Sequence, residues 1–199
     1  MRTTNTIANQ PRAWESLNRM GSSLEVYAND GEALRALKQK HPPALRELLS
    51  KYESPLLGYL NSLTYDHALA EDLTQETFLK LIRRPPLMLS HGSLKPWLFK
   101  VARNLAIDQL RCRQRIELRE TVPHAHEPNQ RAAALDSSDT DLLLQSLPTE
   151  MRQIVALRIF ADFTFKEIAK HLKMPLGTVL WKMTKATAHM RKKLEEDES

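Results

Sequence analysis

The chain has 199 residues, a net charge of +5 at pH 7 and a pI near 9.4, and 42% of its residues are hydrophobic. This length is enough for one large or two small domains, and the positive charge favours a polyanionic partner. No apolar run approaches the roughly 20 residues of a membrane helix, and the first residues lack the apolar stretch of a signal peptide. We therefore expect a cytoplasmic protein without membrane insertion.

Helix-forming residue types dominate the sequence, which contains only five glycines. We expect an all-α protein of two small helical domains joined by a flexible linker. The only cysteine, Cys112, cannot form an internal disulfide. His124 and His126 lie in a polar segment with no cysteine nearby, so we assign no metal and no cofactor.

The breaks in helical patterning predict the domain boundaries. Residues 1–22 show little periodicity and form a flexible N-terminal extension. Residues 23–119 form the first domain, with short interruptions at 41–43, 64–66 and 84–93. Residues 120–138 form an acidic linker; extended to residue 141, this segment holds five acids against one arginine. Residues 139–196 form the second domain.

A helix predicted near residues 71–82 carries acidic and amide side chains on one side. Its apolar residues, Leu73, Phe78, Leu81 and Ile82, can turn inward. Asp72, Gln75 and Glu76 then remain outside, where they are available to basic or amide groups of a partner. Taken alone, this pattern is explained better by a solvated acidic face.

The next helix of the first domain is strongly basic. Trp97, Leu98, Val101 and Leu105 form an apolar stripe that predicts core packing. Seven lysines or arginines fall between residues 95 and 119. The polar residues that share another face of this helix are Lys100, Arg103, Asn104, Arg111, Gln114 and Arg115.

Residues 153–190 predict a helix-turn-helix. Phe165, Ile168, Ala169 and Leu172 form the apolar face of its first helix, residues 171–175 form the turn, and Pro175 sits where a helix can begin without losing a hydrogen bond. On the second helix, Val179, Met183, Ala186 and Met190 are expected to pack, and Thr178, Trp181, Lys182, Lys185 and His189 to face out.

Charge decides how this helical pair is interpreted. An isolated amphipathic pair is more often a hairpin with a solvated lysine face than a DNA-binding unit. Here residues 166–193 contain eight lysines or arginines and a single acid, Glu167. Such an excess is typical of a phosphate-binding surface, so we expect the second helix to enter the DNA major groove.

Several motifs together resemble one protein family. Residues 44–52 (ALRELLSKY), 70–81 (AEDLTQETFLKL) and 97–111 (WLFKVARNLAIDQLR) look like region two of the bacterial sigma-70 family. Leu147 with Pro148, residues 165–169 (FKEIA) and residues 177–179 (GTV) resemble its region four. With only these two regions and a short linker, the chain resembles the extracytoplasmic-function (ECF) group over residues 23–194.

The resemblance implies a sigma factor that binds core RNA polymerase and directs promoter recognition, minus-ten melting and transcription initiation. Its implied partners are core polymerase (β′ coiled coil and β flap), promoter DNA and an anti-sigma factor. Region two would dock on the β′ coiled coil through Asp72, Gln75 and Glu76. The resemblance implies minus-ten contacts by Trp97, Lys100, Arg103, Asn104 and Arg111; for Trp97, core packing and base stacking are both open. The loop at residues 84–92 would select the unstacked base.

Region four would read the minus-thirty-five element as duplex through Thr178, Trp181, Lys182 and Lys185. The acidic linker would thread toward the polymerase active-site cleft. The chain departs from the family where Pro175 replaces a capping serine and Leu180, Trp181 and Lys182 replace a Lys-Ser-Arg triplet. Lysine lacks the rigid fork of arginine for guanine, so phosphate contact is the expectation for Lys182.

Two other classes of protein remain open at this point. A stand-alone helix-turn-helix regulator of the LuxR type would share the second domain, but it leaves the acidic helix and the first basic helix unexplained. An enzyme acting on nucleic acid would need a phosphate-binding glycine loop, a metal cluster or an activated nucleophile. The sequence shows none of these, so we expect no enzymatic activity.

Overall fold

The computed structural model describes residues 27–89, 92–120 and 139–197. The predicted N-terminal extension and almost all of the predicted acidic linker lie outside these residues. No helix within the described ranges has both the length and the apolar character needed to cross a bilayer. The described helices are α1 (Asp30–Lys38), α2 (Pro42–Thr64), α3 (His67–Arg83), α4 (Lys95–Glu120), α5 (Asp139–Gln145), α6 (Thr149–Ile159), α7 (Phe165–Leu172) and α8 (Leu176–Asp197).

Local capping sets where several helices begin. The side chain of Asp66 accepts a hydrogen bond from the Leu69 backbone at the start of α3. At the start of α7, Thr164 and Glu167 form a reciprocal capping box. The turn after α7 passes through Lys173, which has a positive φ of 56°. The predicted turn of the helix-turn-helix is therefore confirmed, and so is the predicted break at residues 64–66.

The first half of the chain consists of α1 to α4. Within it, the buried carboxylate of Asp30 joins three elements. Its oxygens accept hydrogen bonds from the Lys51 side chain at 2.6 Å, the Tyr52 hydroxyl at 2.5 Å and the Leu94 backbone N–H at 2.7 Å. Burial by itself would raise the pKa of Asp30, but these three hydrogen bonds outweigh it and hold the pKa below 3.8. Asp30 thus fixes α1 and the start of α4 against α2.

Replacing Asp30 by alanine should lower the free energy of unfolding by about 3 kcal/mol, because the buried Tyr52 hydroxyl and Leu94 N–H lose their acceptor. Chemical denaturation at pH 7 measures this loss. Since the folded pKa is depressed, the wild-type advantage is present above pH 3.8 and disappears as the pH falls through the folded value. Asp108→Ala, at an exposed acid on α4, is the control. Equal unfolding free energies for Asp30→Ala and wild type would contradict this account.

The second half of the chain consists of α5 to α8. Its buried Arg152, on α6, contacts two other parts of the structure. Its guanidinium donates to the carbonyl oxygens of Leu144 at 3.0 Å and Leu147 at 2.8 Å, which lie at and just beyond the end of α5. These bonds add donors to carbonyl groups at the end of a helix, where the Leu144 oxygen also accepts from the Leu147 N–H. The same guanidinium stacks 4.3 Å above the ring of Tyr65, which lies between α2 and α3. One side chain therefore links α5 to the first half of the chain.

The two halves pack directly against each other. Gly58 on α2 faces the Phe160 ring so closely that a Cβ atom at this position would lie 2.5 Å from a ring carbon. A single cluster of buried hydrophobic side chains includes Tyr59 and Phe99 from the first half and Phe163 from the second. The two predicted domains therefore contact each other directly, and an interface that includes Gly58 and Phe160 joins their cores.

Leucine in place of Gly58 should separate the halves while each half stays folded, because the new side chain and the Phe160 ring need the same space. Small-angle X-ray scattering should show a larger radius of gyration. The matched control is Gly177→Leu, since a Cβ at residue 177 meets no atom within 4 Å. Unchanged scattering from the Gly58→Leu chain would show that the contact does not hold the halves together.

Candidate nucleic-acid interface

The acidic surface predicted on α3 is open to solvent. Asp72 is exposed, and Gln75 and Glu76 are partly exposed beside it. Ile82 was expected to turn inward, but its side chain is 46% exposed. Leu81 is buried, and Ile82 follows it 100° further round the helix, on the open side. Sequence analysis also missed Leu79, an exposed apolar residue one turn after Gln75.

The basic face of α4 consists of Lys100, Asn104 and Arg111, all exposed. Their spacings of four and seven residues place them along one side of the helix. The opposite side packs through residues that the predicted stripe missed, Phe99 and Ala102, which are fully buried. This rigid packing holds the three polar side chains in a line along the surface.

Trp97 lies partly buried and packs against the core cluster. Core packing and base stacking were both open for Trp97, and the structure shows the packing contact. Part of its surface remains accessible beside the basic face of α4. Base stacking by Trp97 remains a prediction.

Two cations of α4 point toward the second half of the chain instead of toward solvent. The guanidinium of Arg103 donates from Nε to Gln153 Oε1 at 3.3 Å. The Lys95 ammonium donates to the Ala161 carbonyl at 2.8 Å and lies 5.3 Å from the centre of the Phe163 ring. Lys95 was not among the predicted site residues. Arg103 is therefore engaged at the interface between the halves.

His171 lies in this interface among aromatic rings and cations. Its ring meets that of Phe163 edge-on with 5.5 Å between centroids, and its Nε2 is buried without a hydrogen-bond partner among the described residues. Burial, and then the positive charges of Arg103 and Lys100, lower the pKa of His171 to about 4. At neutral pH the imidazole is uncharged, so it can lie beside these cations without repulsion.

The exposed side of α8 contains most of the predicted duplex contacts. Trp181 and Lys185 are exposed, with the Lys185 ammonium 6.0 Å from the centre of the Trp181 ring, and Thr178 is partly exposed. Lys182 does not face out as expected. Its side chain is only 18% exposed and forms an ion pair with Glu150 at the start of α6. On a helical wheel, Lys182 lies next to the buried side of α8, so an acidic side chain of a neighbouring helix can reach it.

Comparison with known proteins identifies the family. The model of Sigma-70 region 2 matches residues 48–116, and the model of Sigma-70, region 4 matches residues 143–192. The ECF RNA polymerase sigma factor SigL of Mycobacterium tuberculosis is 31% identical over 158 residues, covering 76% of this chain and 89% of SigL. The chain belongs to the ECF group of the sigma-70 family.

A second relative and a solved structure agree. The ECF RNA polymerase sigma factor SigE of Mycolicibacterium smegmatis is 30% identical over 166 residues, covering 79% of this ECF sigma factor; the match spans 64% of the length of SigE. The sigma factor RpoE of Bartonella quintana, solved with the anti-sigma factor NepR, superposes with a TM-score of 0.62 at 25% identity, covering 75% of this chain and 96% of RpoE.

A structure with lower sequence identity shares the fold. CnrH, solved with the cytosolic domain of CnrY, superposes with a TM-score of 0.61 over 84% of this chain and 98% of CnrH; at 19% identity this likeness concerns the fold alone. The presence of both regions in one chain does not favour a stand-alone LuxR-type regulator. Sigma factors are in general regulators of transcription.

Proposed function

We propose that this ECF sigma factor binds core RNA polymerase through the acidic surface of α3 and places α4 and α8 on two elements of one promoter. One observation supports the proposal: the exposed acidic side chains lie on α3, and the exposed cationic side chains lie on two other helices, α4 and α8. We assign residues 23–119 to region two, residues 139–196 to region four and residues 120–138 to the acidic linker that runs toward the polymerase active-site cleft.

The acidic surface suits a protein partner better than DNA. Asp72 and Glu76 lie one turn apart on α3 and repel phosphate, while they attract basic side chains. Leu79 and Ile82 add exposed apolar area beside them, and apolar area is typical of the centre of a protein interface. The β′ coiled coil is the partner proposed for this surface, and the β flap is proposed for region four.

Reversing both charges, with lysine at Asp72 and Glu76, should weaken binding to core polymerase at least tenfold, because like charges would then face the basic groups of the partner. A titration of labelled chain with core enzyme measures the dissociation constant. The same reversal at Glu195 and Glu196, near the end of α8, changes the net charge equally and is the control. Wild-type affinity for the Asp72 and Glu76 variant would remove α3 as the docking surface.

The proposed minus-ten surface combines the basic face of α4 with the preceding loop. Lys100, Asn104 and Arg111 can follow the backbone of a single strand. Leu87 and Met88 on the loop after α3 are almost fully exposed, so they can cover an unstacked base. Residues 90 and 91 of this loop lie outside the described residues.

Promoter binding requires the two halves to separate. The minus-ten and minus-thirty-five elements are separated by about 85 Å of duplex at about 3.4 Å per base pair. In the structure the halves are in direct contact, and Arg103 bonds to Gln153. We propose that core polymerase stabilises the open arrangement and thereby frees Arg103 for the minus-ten strand.

An anti-sigma factor is proposed as the second protein partner. RpoE and CnrH, which share the fold, were each solved in complex with another protein, described for RpoE as an anti-sigma factor. A protein that binds both halves in their packed arrangement would oppose opening by mass action. Such a partner would keep the chain from opening onto a promoter even where part of α3 stays exposed.

The two lysines of α8 should differ in their contact with DNA. Alanine at Lys185 should lower the slope of log affinity against log salt for holoenzyme and promoter by roughly one unit, because one phosphate contact is lost. Alanine at Lys182 should leave the slope unchanged, since Glu150 already neutralises this ammonium. Filter binding at several salt concentrations measures both slopes. Equal losses at the two positions would show that Lys182 leaves Glu150 to reach DNA.

A further inference from the structure

The start of α8 exposes apolar side chains that its packing does not need. Val179 and Ala186, on the other side of the helix, are fully buried in the core. Leu176, Leu180 and Trp181 remain 37%, 42% and 56% exposed. A helix that has already buried one apolar side keeps a second apolar patch only at a cost in solubility. We call Leu176, Leu180 and Trp181 the α8 apolar patch.

Nothing within the described residues covers the centre of this patch. Gly177 precedes Trp181 by one turn on the same side of α8, and a Cβ at Gly177 would meet no atom within 4 Å. The space in front of the first turn is therefore open to an approaching molecule. The closed packing of the two halves does not reach it, because that interface involves Phe160, Phe163 and His171.

The exposed charges of α7 and α8 indicate the class of partner. Lys166, Lys170 and Lys173 are exposed on α7 and the turn after it, and Lys185 is exposed beside Trp181. This excess of exposed cations favours an anionic partner. A lipid surface would bind a helix through a wide apolar face, but that face of α8 is already buried in the core. Duplex DNA combines anionic phosphates with an apolar group in the major groove, the 5-methyl group of thymine.

Thr178 and Lys185 can form hydrogen bonds on this side of α8, but the α8 apolar patch itself offers few. Lys182 forms an ion pair with Glu150, so its ammonium is already engaged. Leu180 and Trp181 have no group that can form two hydrogen bonds with guanine or adenine. Apolar contact is the recognition that these two side chains offer.

Building on the proposed sigma-factor function, we propose that Leu180 and Trp181 read thymine in the minus-thirty-five element through its 5-methyl group. Lys185 and the lysines of α7 contact the flanking phosphates. The recognised element then contains A·T pairs at the positions that face the α8 apolar patch, and an element made only of G·C pairs would contradict the proposal.

Substitution of 2′-deoxyuridine for thymidine tests this directly, because uracil keeps the hydrogen-bonding groups of thymine and lacks only the methyl. The promoter is first obtained by transcription with holoenzyme on a library of genomic fragments. Each thymidine of the upstream element is then replaced in turn, and holoenzyme affinity is measured. At one or two positions affinity should fall about fourfold, as expected for one buried methyl group. Replacement in the spacer between the elements should have no effect.

Variants assign the effect to side chains. Trp181→Ala should bind the thymidine promoter more weakly than wild type does, and its affinities for the thymidine and deoxyuridine promoters should be equal. Trp181→Phe should restore part of the preference for thymidine. Leu180→Ala should remove the preference for thymidine over deoxyuridine at one of the affected positions of the element. Leu194→Ala, at another exposed leucine of α8, should bind like wild type. Thermal melting checks that each variant is folded.

The outcomes separate this inference from the proposed function. Transcription that starts from a promoter bound equally well with thymidine and deoxyuridine would overturn the inference and leave the sigma-factor function intact. Failure of the chain to support any initiation with core enzyme would overturn both. Binding of the chain to anionic lipid vesicles that is lost in Trp181→Ala, with promoter affinity unchanged, would assign the patch to a membrane and overturn the inference.

Discussion

The contact between Gly58 and the Phe160 ring is the constraint on which the observed arrangement depends. It lets α2 approach the second half closely enough for Tyr59, Phe99 and Phe163 to share one core. Polar contacts also cross the interface: the Lys95 ammonium donates to the Ala161 carbonyl, and the Arg152 guanidinium stacks on the Tyr65 ring. The apolar contact supplies the attraction, while the polar contacts fix the orientation of the halves.

The same interface limits when this sigma factor can act. Arg103, a predicted promoter contact, is bonded to Gln153, whereas Lys100 and Arg111 on the same helix are exposed. The neutral His171 imidazole lets cations gather there without repulsion. The acidic surface of α3 and the α8 apolar patch lie outside the contact. The closed chain can therefore meet core polymerase first, and the proposed opening would follow from that encounter.

Sequence alone predicted the helical class, the helix-turn-helix and the exposure of most side chains assigned to the binding surfaces, because helical periodicity and capping residues are local signals. It could not predict contacts between distant segments. Nothing near Asp30 in the sequence indicates that Tyr52 and Leu94 donate to it. The packing of Phe160 on Gly58 and the capture of Lys182 by Glu150 also depend on how helices meet. Family resemblance suggested which surfaces bind partners, and the geometry corrected the expected exposure of Lys182 and burial of Ile82.

The distance between the two halves, followed as core polymerase is added, tests the central claim most directly. Fluorescent labels at exposed positions on α2 and α8 report this distance by energy transfer. The account predicts high transfer in the free chain, a fall when core enzyme binds and a further loss when promoter DNA completes the complex. High transfer that persists in a holoenzyme able to initiate transcription would contradict it.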